Sequence, residues 1–408
     1  MGKSRLLVCN IENIDKARFF YRFNDVCRKN DIEVIYIVQS YSAFVWLLTK
    51  GAKVKFIKKC TNNIIVNHRP DIELKNTVDF KLKKYTIEEC KMAYKSTVDC
   101  LKDIESIHHI DFIFTWSGYK VSDLACGTFA KDNDIKILFF EIANIKGKIF
   151  VDGCGTNARS SIQSNCESLR AFKFEDVVSV YNDWLGNYIK EKFAQTTIPQ
   201  ARKNSFGLLL FRVVFDILGV IIGGLPLHLD FLLFKYKERT SSKLNIKYDV
   251  IDLSKIEYIF FPLQVSSDVQ VMINSKTSLK EALLWATNYA KKNKVALVIK
   301  PHPAETNLDI INFINNIKGN YENVYFCNNN TFELISKSEK VITINSTVGL
   351  EAKILGKPVE VLGKAFYKDF DEEILMYYIT GYLIDIDYFS EDDGLSQWQL
   401  ESVLKRCD

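Results

Sequence analysis

The chain has 408 residues, of which 47% are hydrophobic and 25% are charged, and its formal net charge is +4. This length predicts two domains, each with its own core, and the composition excludes a disordered chain. The net charge is small and no basic run is interleaved with aromatic residues, which excludes nucleic-acid binding as a function.

The cysteines and the opening stretch both bear on the cellular compartment. Ten cysteines are scattered along the chain without a C-x-x-C pair or a nearby histidine partner. We therefore expect reduced thiols in a cytoplasmic protein. The opening stretch, MGKSRLLVCNIEN, leads almost directly into a strand pattern, so a secretory signal is not expected.

Short β-rich runs alternate with helical segments through the first part of the chain, and Ile87 to Ile104 is one such helix. Such alternation predicts a parallel sheet with helices packed on it. We expect a Rossmann-like N-terminal domain over residues 1–190. Its predicted strands are Leu6 to Cys9, Glu33 to Val38, Val54 to Ile57, Phe112 to Thr115 and Ile135 to Phe140.

Residues 191–250 are predicted to be an apolar helical insertion or linker. Arg212 and Asp216 interrupt its apolar runs, which are too short for the roughly 20 residues of a spanning helix. One alternative is a hairpin over residues 206–234 that lies in the membrane interface. The other is a pair of buried helices that link the domains. The cations that favour the first alternative are Arg202, Lys203, Lys235, Lys237, Arg239 and Lys243.

A second βα series predicts a second Rossmann-like domain over residues 251–385. It starts with a strand at Tyr258 to Pro262 and continues through a helix from Ser278 to Lys292. Further strands are expected to end at Lys300, Phe326, Ile344 and Val361. The last segment, residues 386–408, contains a predicted helix that packs back on the first domain.

Two turns of this second series are expected at one edge of the sheet, where α/β folds bind nucleotides. The first is KPHP, in which prolines end the strand and present Lys300 and His302 rigidly. In the second, Asn345 and Ser346 are N-cap residues for a helix that starts at Thr347, and such a start suits a phosphate. Either turn alone is more often purely structural.

Four segments resemble a known family: KPHP, FFPLQVSSDVQV, NSTVGLEAKILGKPVEVLGKAFY and FFEIANIKGKIFVDGCGTNARSS. They are similar to the capsule polysaccharide biosynthesis family of bacterial glycosyltransferases, which includes β-Kdo transferases of capsule and O-antigen assembly. The match from Asn345 to Tyr367 is long and specific. The last segment departs from the family pattern by placing Ile142 and Ala143 after Glu141.

The resemblance and the βα pattern together imply a GT-B-like α/β fold, with two Rossmann-like domains that face a cleft and the apolar insertion between them. The resemblance also implies transfer of Kdo from CMP-β-Kdo, with retention, to a glycan or lipid-linked glycan. Such an enzyme would lie on the inner face of the bacterial inner membrane. Cationic and N–H groups can stabilise the single phosphate of departing CMP without a metal, so we expect neither metal nor cofactor.

For the donor, the resemblance implies that His302 contacts the phosphate or the leaving CMP oxygen. Ser346 and Thr347 would hold the phosphate, and Glu351 would contact the ribose. Lys300 would add positive charge or form a structural ion pair. The expected donor-binding residues are Lys300, His302, Pro303, Asn345, Ser346, Thr347, Glu351 and Gln264, the last of which would position the sugar.

Retention by double displacement needs a carboxylate opposite the leaving group. Asp268 is our candidate, as nucleophile or as base; its structural alternative is a helix cap or an Asx-turn. Glu141 and Asp152 are candidates for activating the acceptor hydroxyl. Trp116 and Ser117 are expected to form an acceptor platform, although Trp116 and Asp152 have structural alternatives of nearly equal weight.

Two other functions remain open on the sequence. The first is a related transferase with another donor, such as CMP-sialate or CDP-activated glycerol, because the two turns do not read the sugar. The second is a non-catalytic scaffold that recruits assembly enzymes. A scaffold would tolerate Asp268→Ala and His302→Ala.

Overall fold

The computed structural model describes residues 3–60, 71–194, 206–228, 248–302, 305, 307–390 and 394–407. The strands are β1 (Ser4–Ile11), β2 (Ile32–Val38), β3 (Lys53–Phe56), β4 (Phe112–Trp116), β5 (Lys136–Ile142), β6 (Ile149–Asp152), β7 (Tyr258–Pro262), β8 (Ala296–Lys300), β9 (Val324–Phe326), β10 (Lys340–Thr343) and β11 (Val359–Val361).

The helices of the first half are α1 (Ile14–Tyr21), α2 (Asn24–Lys29), α3 (Tyr41–Thr49), α4 (Asp71–Lys75), α5 (Val78–Lys81), α6 (Ile87–Glu105), α7 (Val121–Asp132), α8 (Ser161–Ser164), α9 (Val177–Ala194) and α10 (Phe206–Ile221). Those that follow are α11 (Val269–Asn274), α12 (Leu279–Asn293), α13 (Leu308–Asn320), α14 (Thr331–Lys337), α15 (Thr347–Ile354), α16 (Glu372–Tyr377) and α17 (Gln397–Leu404).

These elements form two compact units. The first takes in the described residues within 1–161, 200–229 and 383–408, and the second takes in those within 162–199 and 230–382. The predicted boundary at residue 190 is therefore too late, since α9 belongs to the second unit. The insertion predicted over residues 191–250 does not form a unit of its own, because α10 belongs to the first unit.

The first unit contains a six-stranded sheet in the order β3-β2-β1-β4-β5-β6, in which only the β5–β6 pair is antiparallel. Alternate residues of β1 enter different cores: Leu6 and Val8 face one, while Leu7 and Cys9 face the other. Both faces of the sheet are thus covered, as in doubly wound folds. The strand order reverses between β1 and β4, which makes their carboxyl ends the switch point of this sheet.

The second unit contains a five-stranded parallel sheet in the order β11-β10-β7-β8-β9. Here the order reverses between β7 and β10. Both units therefore have the Rossmann-type strand order, and the predicted α/β class with two Rossmann-like domains is confirmed. The carboxyl edge of this sheet receives both of the turns that the sequence singled out.

The C-terminal segment completes the core of the first unit, as predicted. Leu395, Leu400 and Val403 are buried in the same core cluster as β1 residues. Hydrogen bonds also join this segment to Arg22. Leu395 N donates to the Arg22 carbonyl at 3.2 Å, and the Arg22 side chain donates from Nη1 to the Asp387 carbonyl at 2.6 Å. The unit is thus built from segments that lie far apart in the sequence.

The two charges that interrupt the apolar run of α10 anchor this helix to α1 and to the start of α3. Arg212 forms an ion pair with Asp15 at 2.9 Å, and Asp216 Oδ1 accepts hydrogen bonds from Ser40 and Ser42, both at 2.9 Å. The opposite face of α10 is exposed and apolar. It comprises Leu209, Leu210, Val213, Val214, Ile217, Leu218 and Ile221.

The placement of α10 corrects the expectation of an insertion between the domains, because the anchoring side chains all belong to the first unit. None of the helices that the structure describes is long and apolar enough to cross a membrane. Residues 229–234 of the predicted hairpin lie outside the described residues.

Candidate active site

A pair of buried amides joins the two strands of the switch point in the second unit. Gln264 follows β7 and Asn345 follows β10; Gln264 Nε2 donates to Asn345 Oδ1 at 2.9 Å, and Asn345 N donates back to Gln264 Oε1 at 3.1 Å. Asn345 Nδ2 also donates to the Gln270 carbonyl at 2.8 Å. Both predicted residues thus lie at the expected edge, where their amides fix the loops that surround it.

Asp268 caps α11, as its structural alternative predicted: Oδ1 accepts a hydrogen bond from Gln270 N at 2.8 Å. Burial raises the pKa of this carboxyl group, while the Gln270 hydrogen bond and nearby His302 lower it. His302 follows β8, and partial burial lowers its pKa although its surface is exposed. An electrostatically coupled Asp268–His302 pair therefore lies at the carboxyl edge of β7 and β8.

Glu305 is a residue of this site that the sequence analysis missed. It is buried, and its carboxylate accepts hydrogen bonds from Ser266 N at 2.6 Å and from Asn307 N at 2.8 Å. These bonds tie the loop that carries Asp268 to the loop that carries His302. Its position shortly after KPHP was a usable signal. Pro303, a predicted donor residue, lies outside the described residues.

The start of α15 has the predicted cap. Ser346 Oγ accepts a hydrogen bond from Val348 N at 3.2 Å, and Thr347 is exposed beside it. Gly349 is required by packing, because an added Cβ would lie 2.9 Å from Cε2 of Tyr367. The Tyr367 hydroxyl in turn donates to the Ser346 carbonyl. An exposed helix start with a rigid cap is a suitable phosphate site.

The two remaining donor residues have protein partners. Glu351 Oε1 pairs with Lys192 Nζ of α9 at 2.5 Å, a partner that the sequence gave no means of finding. Lys300 Nζ donates to the Asn329 carbonyl at 2.7 Å and to Thr331 Oγ1 at 2.9 Å. Lys300 therefore holds the loop after β9 through a backbone carbonyl and a hydroxyl, which are not the carboxylate partner of the structural ion pair that the sequence allowed.

In the first unit, Glu141 lies near the end of β5 and is partly exposed. Its Oε2 accepts a hydrogen bond from Asn157 Nδ2 at 2.8 Å and also contacts the Thr156 hydroxyl. That hydroxyl lies 2.8 Å from the Ser117 carbonyl oxygen. Glu141 thus has the exposure and hydrogen-bonded positioning that a general base needs.

Three first-unit predictions change in the structure. Asp152 is buried and holds a turn, because its carboxylate accepts from Cys154 N at 2.7 Å, Gly155 N at 3.2 Å and both N and Oγ of Ser161. This leaves it no position from which to activate an acceptor. Trp116 is buried in the core against Phe19 and Phe20, and Ser117 is buried beside it, so neither presents a platform.

Among the residues that the structure describes, no group of three His, Cys, Asp or Glu side chains is placed to hold a metal ion. Asp371, which forms a D-x-D triplet with Asp369, caps α16 and pairs with Arg170 at 3.1 Å. The chemistry at the described edge is that of the carboxylates of Asp268, Glu305 and Glu351, the His302 imidazole, the Lys300 ammonium and the start of α15.

Comparison with known proteins connects the second unit to a family. Residues 234–370 match the family model described as capsule polysaccharide biosynthesis protein. A relative, Protein FixF from Sinorhizobium fredii (strain NBRC 101917 / NGR234), is 38% identical over 136 residues. That alignment covers 31% of this chain and 31% of the relative, so this chain matches less than a third of its length.

The solved structures that resemble this chain are distant. Thermosulfurimonas dismutans KpsC, beta Kdo 2,7 transferase, has 16% identity and a TM-score of 0.41, with 75% of this chain and 88% of that chain covered. The beta Kdo 2,4 transferase of the same organism has 14% identity and a TM-score of 0.40, with coverage of 64% and 71%. The Neisseria meningitidis UDP-GlcNAc 2-epimerase has 13% identity and a TM-score of 0.29, with coverage of 98% and 100%.

Likenesses with such low TM-scores do not indicate a function for this chain. The family match is of a different kind, because it spans β7 to β11 together with Asp268, His302 and the start of α15. The resemblance to the capsule polysaccharide biosynthesis protein family is thus confirmed as a match over residues 234–370 of this chain.

Proposed function

We propose that this chain is a retaining glycosyltransferase that moves Kdo from CMP-β-Kdo to a glycan or lipid-linked glycan during bacterial surface polysaccharide synthesis. The observation that carries the proposal is the carboxyl edge of the second sheet, where Asp268, His302 and the start of α15 follow β7, β8 and β10. The family match covers the same residues.

The donor phosphate would lie at the start of α15, against Ser346 and Thr347 and within reach of His302. A lowered pKa keeps His302 mostly neutral near pH 7, so one ring nitrogen can donate a hydrogen bond to the leaving CMP oxygen. Glu351, held by Lys192, would accept a ribose hydroxyl. These groups act without a metal, so we propose that activity persists after EDTA treatment.

In the first step, an oxygen of ionised Asp268 attacks the anomeric carbon of Kdo from the face opposite CMP. The bond from that carbon to the phosphate oxygen breaks, the electron pair leaves with CMP, and a covalent glycosyl ester forms on Asp268. Oδ1 is used by the helix cap. Among the residues that the structure describes, no backbone N–H donates to Asp268 Oδ2 as Gln270 N does to Oδ1. Oδ2 is therefore favoured as the attacking atom.

In the second step, an acceptor hydroxyl attacks the same carbon and displaces Asp268, which returns as a carboxylate. Two inversions give net retention. Glu141 is proposed to take the hydroxyl proton, because its partly exposed carboxylate accepts a hydrogen bond from Asn157. Asp152 is not proposed for this role because its oxygens hold the turn that follows β6.

Release of CMP from a panel of donors tests this function. We expect hydrolysis of CMP-Kdo by the wild type and a loss of at least about 100-fold for Asp268→Asn, which keeps an oxygen for the helix cap. Asp371→Asn is a matched control, because Asp371 also caps a helix of the second unit. Turnover of CMP-sialate or CDP-glycerol alone would replace the donor. No turnover with any donor would refute the transferase.

The exposed face of α10 supports a proposal about the cellular location. Its exposed apolar face suits the interface of a membrane with anionic lipids, and basic residues follow it in the sequence. We propose that the enzyme works in the cytoplasm, peripherally bound to the inner membrane, where lipid-linked acceptors are found.

A further inference from the structure

The switch point of the first sheet carries a charged cluster that the proposed mechanism does not use. It lies at the carboxyl ends of β1 and β4, which is where α/β sheets bind ligands. Asn10 at the end of β1 and Ser117 after β4 both have a left-handed backbone, with φ of 56° and 48°. Such conformations are costly for residues other than glycine and concentrate at functional sites.

Three lysines from different elements converge on Glu12, the residue after β1. Lys16 Nζ of α1 lies 3.1 Å from Glu12 Oε2, and Lys84 Nζ lies 3.7 Å from Oε1. Lys120 Nζ, from the residue before α7, donates to Oε2. The lysine side chains are only 8% exposed for Lys16 and 25% exposed for Lys84 and Lys120. We refer to Lys16, Lys84 and Lys120 as the three-lysine cluster.

The neighbouring acids leave this cluster short of acceptors. Asp79 takes one hydrogen bond from Lys84 at 3.1 Å but also caps α7 by accepting from Val121 N at 3.0 Å. Asp123 is fully buried and accepts from Thr115 and from the backbone of Gly118 and Lys120. Each ammonium has three hydrogens. Lys16 and Lys120 donate to Glu12, and Lys84 donates to Asp79. The ammonium groups of Lys16 and Lys84 also lie 5.1 Å and 4.6 Å from the ring centroids of Trp116 and Tyr85.

The electrostatic cost of the cluster also points to a ligand. Burial alone would raise the pKa of Glu12, but the three lysines lower it well below its ordinary range. Burial and the neighbouring Lys120 lower the pKa of Lys16, whereas the pKa of Lys84 is raised despite its burial, because Asp79 lies beside it. Partly buried ion clusters are weak sources of stability, because desolvation offsets the attraction between the charges. A cluster of this kind at a switch point is better explained by an anion that enters it.

We propose that the three-lysine cluster binds an anionic group of the acceptor glycan, either a sugar carboxylate or a phosphate. Glu12 forms ion pairs with the lysines when no anion is bound. The acceptor role rests on the proposed transferase function; the anion site itself rests on the geometry of the first unit. The incoming anion would take up the remaining N–H donors of Lys84 and Lys120, which are the more exposed members.

The test is thermal protection of the full chain by D-glucuronate, inorganic phosphate and neutral D-glucose at equal ionic strength. We expect a rise in melting temperature of about 2–4 °C with a saturating anion and none with glucose. Lys84→Gln should abolish the rise, and Lys131→Gln, an exposed lysine of α7, should keep it. Stronger protection by glucuronate would identify a sugar acid, and stronger protection by phosphate would identify a phosphate group.

Glu12→Gln should change the anion-induced rise in melting temperature in the opposite direction to Lys84→Gln. Removing the internal carboxylate should lower the melting temperature without an anion and enlarge the rise with one. Equal protection of the wild type, Lys84→Gln and Lys131→Gln would overturn the site, as would protection by glucose. Hydrolysis of CMP-Kdo by the same wild-type sample reports separately on the transferase: protection without hydrolysis would refute that function and keep the anion site.

Discussion

Glu12 links the stability of the first unit to pH. Its pKa in the folded chain lies well below the ordinary value of 4.5, because three lysines stabilise the carboxylate. A lowered pKa means that the stabilisation is present above about pH 4.5 and is lost as the pH falls through the folded-state pKa. We predict that Glu12→Gln flattens the acid side of the stability curve, as measured by urea midpoints between about pH 7 and pH 3.5.

The control for this measurement is Glu88→Gln. Glu88 is exposed on α6 and, among the residues that the structure describes, forms an ion pair with Lys91 alone. Its removal should leave the acid slope of the wild type unchanged, since exposed pairs contribute little. A Glu12→Gln curve that runs parallel to the wild type would contradict the assignment of Glu12 as the charge that the lysines hold.

Single residues were predictable where a short motif carried them. Gln264 and Asn345 were expected at one sheet edge, and they share a hydrogen bond there. The three-lysine cluster was not predictable, because its lysines are far apart in the sequence and only the fold brings them to Glu12. Trp116 was misassigned for a physical reason: an aromatic residue at a strand end has the same sequence pattern whether it faces solvent or the core.

Helix α15 depends on the absence of a side chain at Gly349. A methyl group there would lie 2.9 Å from Cε2 of Tyr367, whose hydroxyl holds the cap of the same helix. We predict that Gly349→Ala lowers the free energy of unfolding by about 1–3 kcal/mol. Urea unfolding is the measurement.

Gly319→Ala is the matched control, because Gly319 also lies in a helix of the second unit and has open space around it. It should be neutral or stabilising by up to about 1 kcal/mol, as expected for alanine in an exposed helix. Equal effects of the two substitutions would mean that the Tyr367 contact is not what requires glycine at position 349.

The exposed face of α10 is predicted to determine membrane contact. Leu210→Glu combined with Val214→Glu places two charges on this face without touching Arg212 or Asp216. We expect the wild type to float with phosphatidylglycerol vesicles and the double variant to remain in the dense fraction, because charges in the interface oppose burial of the apolar face.

The control for flotation carries the same charge change elsewhere. Leu284 and Leu308 are exposed on helices of the second unit, and their double change to glutamate should leave flotation intact. Failure of the wild type to float, or equal flotation of both double variants, would remove α10 as the membrane contact. The sequence predicted an apolar helical element here, but not the partners of Arg212 and Asp216, since Asp15, Ser40 and Ser42 lie far upstream.

At the scale of the whole molecule, the C-terminal segment is a structural part of the first unit. Leu400 is buried in its core, whereas Leu350 is buried in the second unit. Each Leu→Ala change should cost about 2–5 kcal/mol. We predict that Leu400→Ala increases hydrogen exchange in β1 and β2, and that Leu350→Ala increases it in β10 and β11. Exchange that rises in the wrong sheet for either variant would contradict the division into units.

The two Rossmann-like sheets were predictable because short buried strands and helix caps recur along the chain. The division of the chain between the units was not. The sequence predicted that most of α9 continues the first domain and that α10 is part of a linker. Neither helix has a local sequence pattern that indicates which segment it packs against. Only contacts between distant segments, such as Lys192 with Glu351 and Arg212 with Asp15, decide where these helices belong.

The central claim is covalent catalysis by Asp268 at the edge of the second sheet, and intact-protein mass spectrometry tests it most directly. The wild type, Asp268→Asn and Asp371→Asn would be incubated with CMP-Kdo generated in place. The account predicts a mass gain of one Kdo residue for the wild type and for Asp371→Asn, and none for Asp268→Asn. An adduct that persists in Asp268→Asn would contradict the assignment, as would rapid CMP release without an adduct in any of the three proteins.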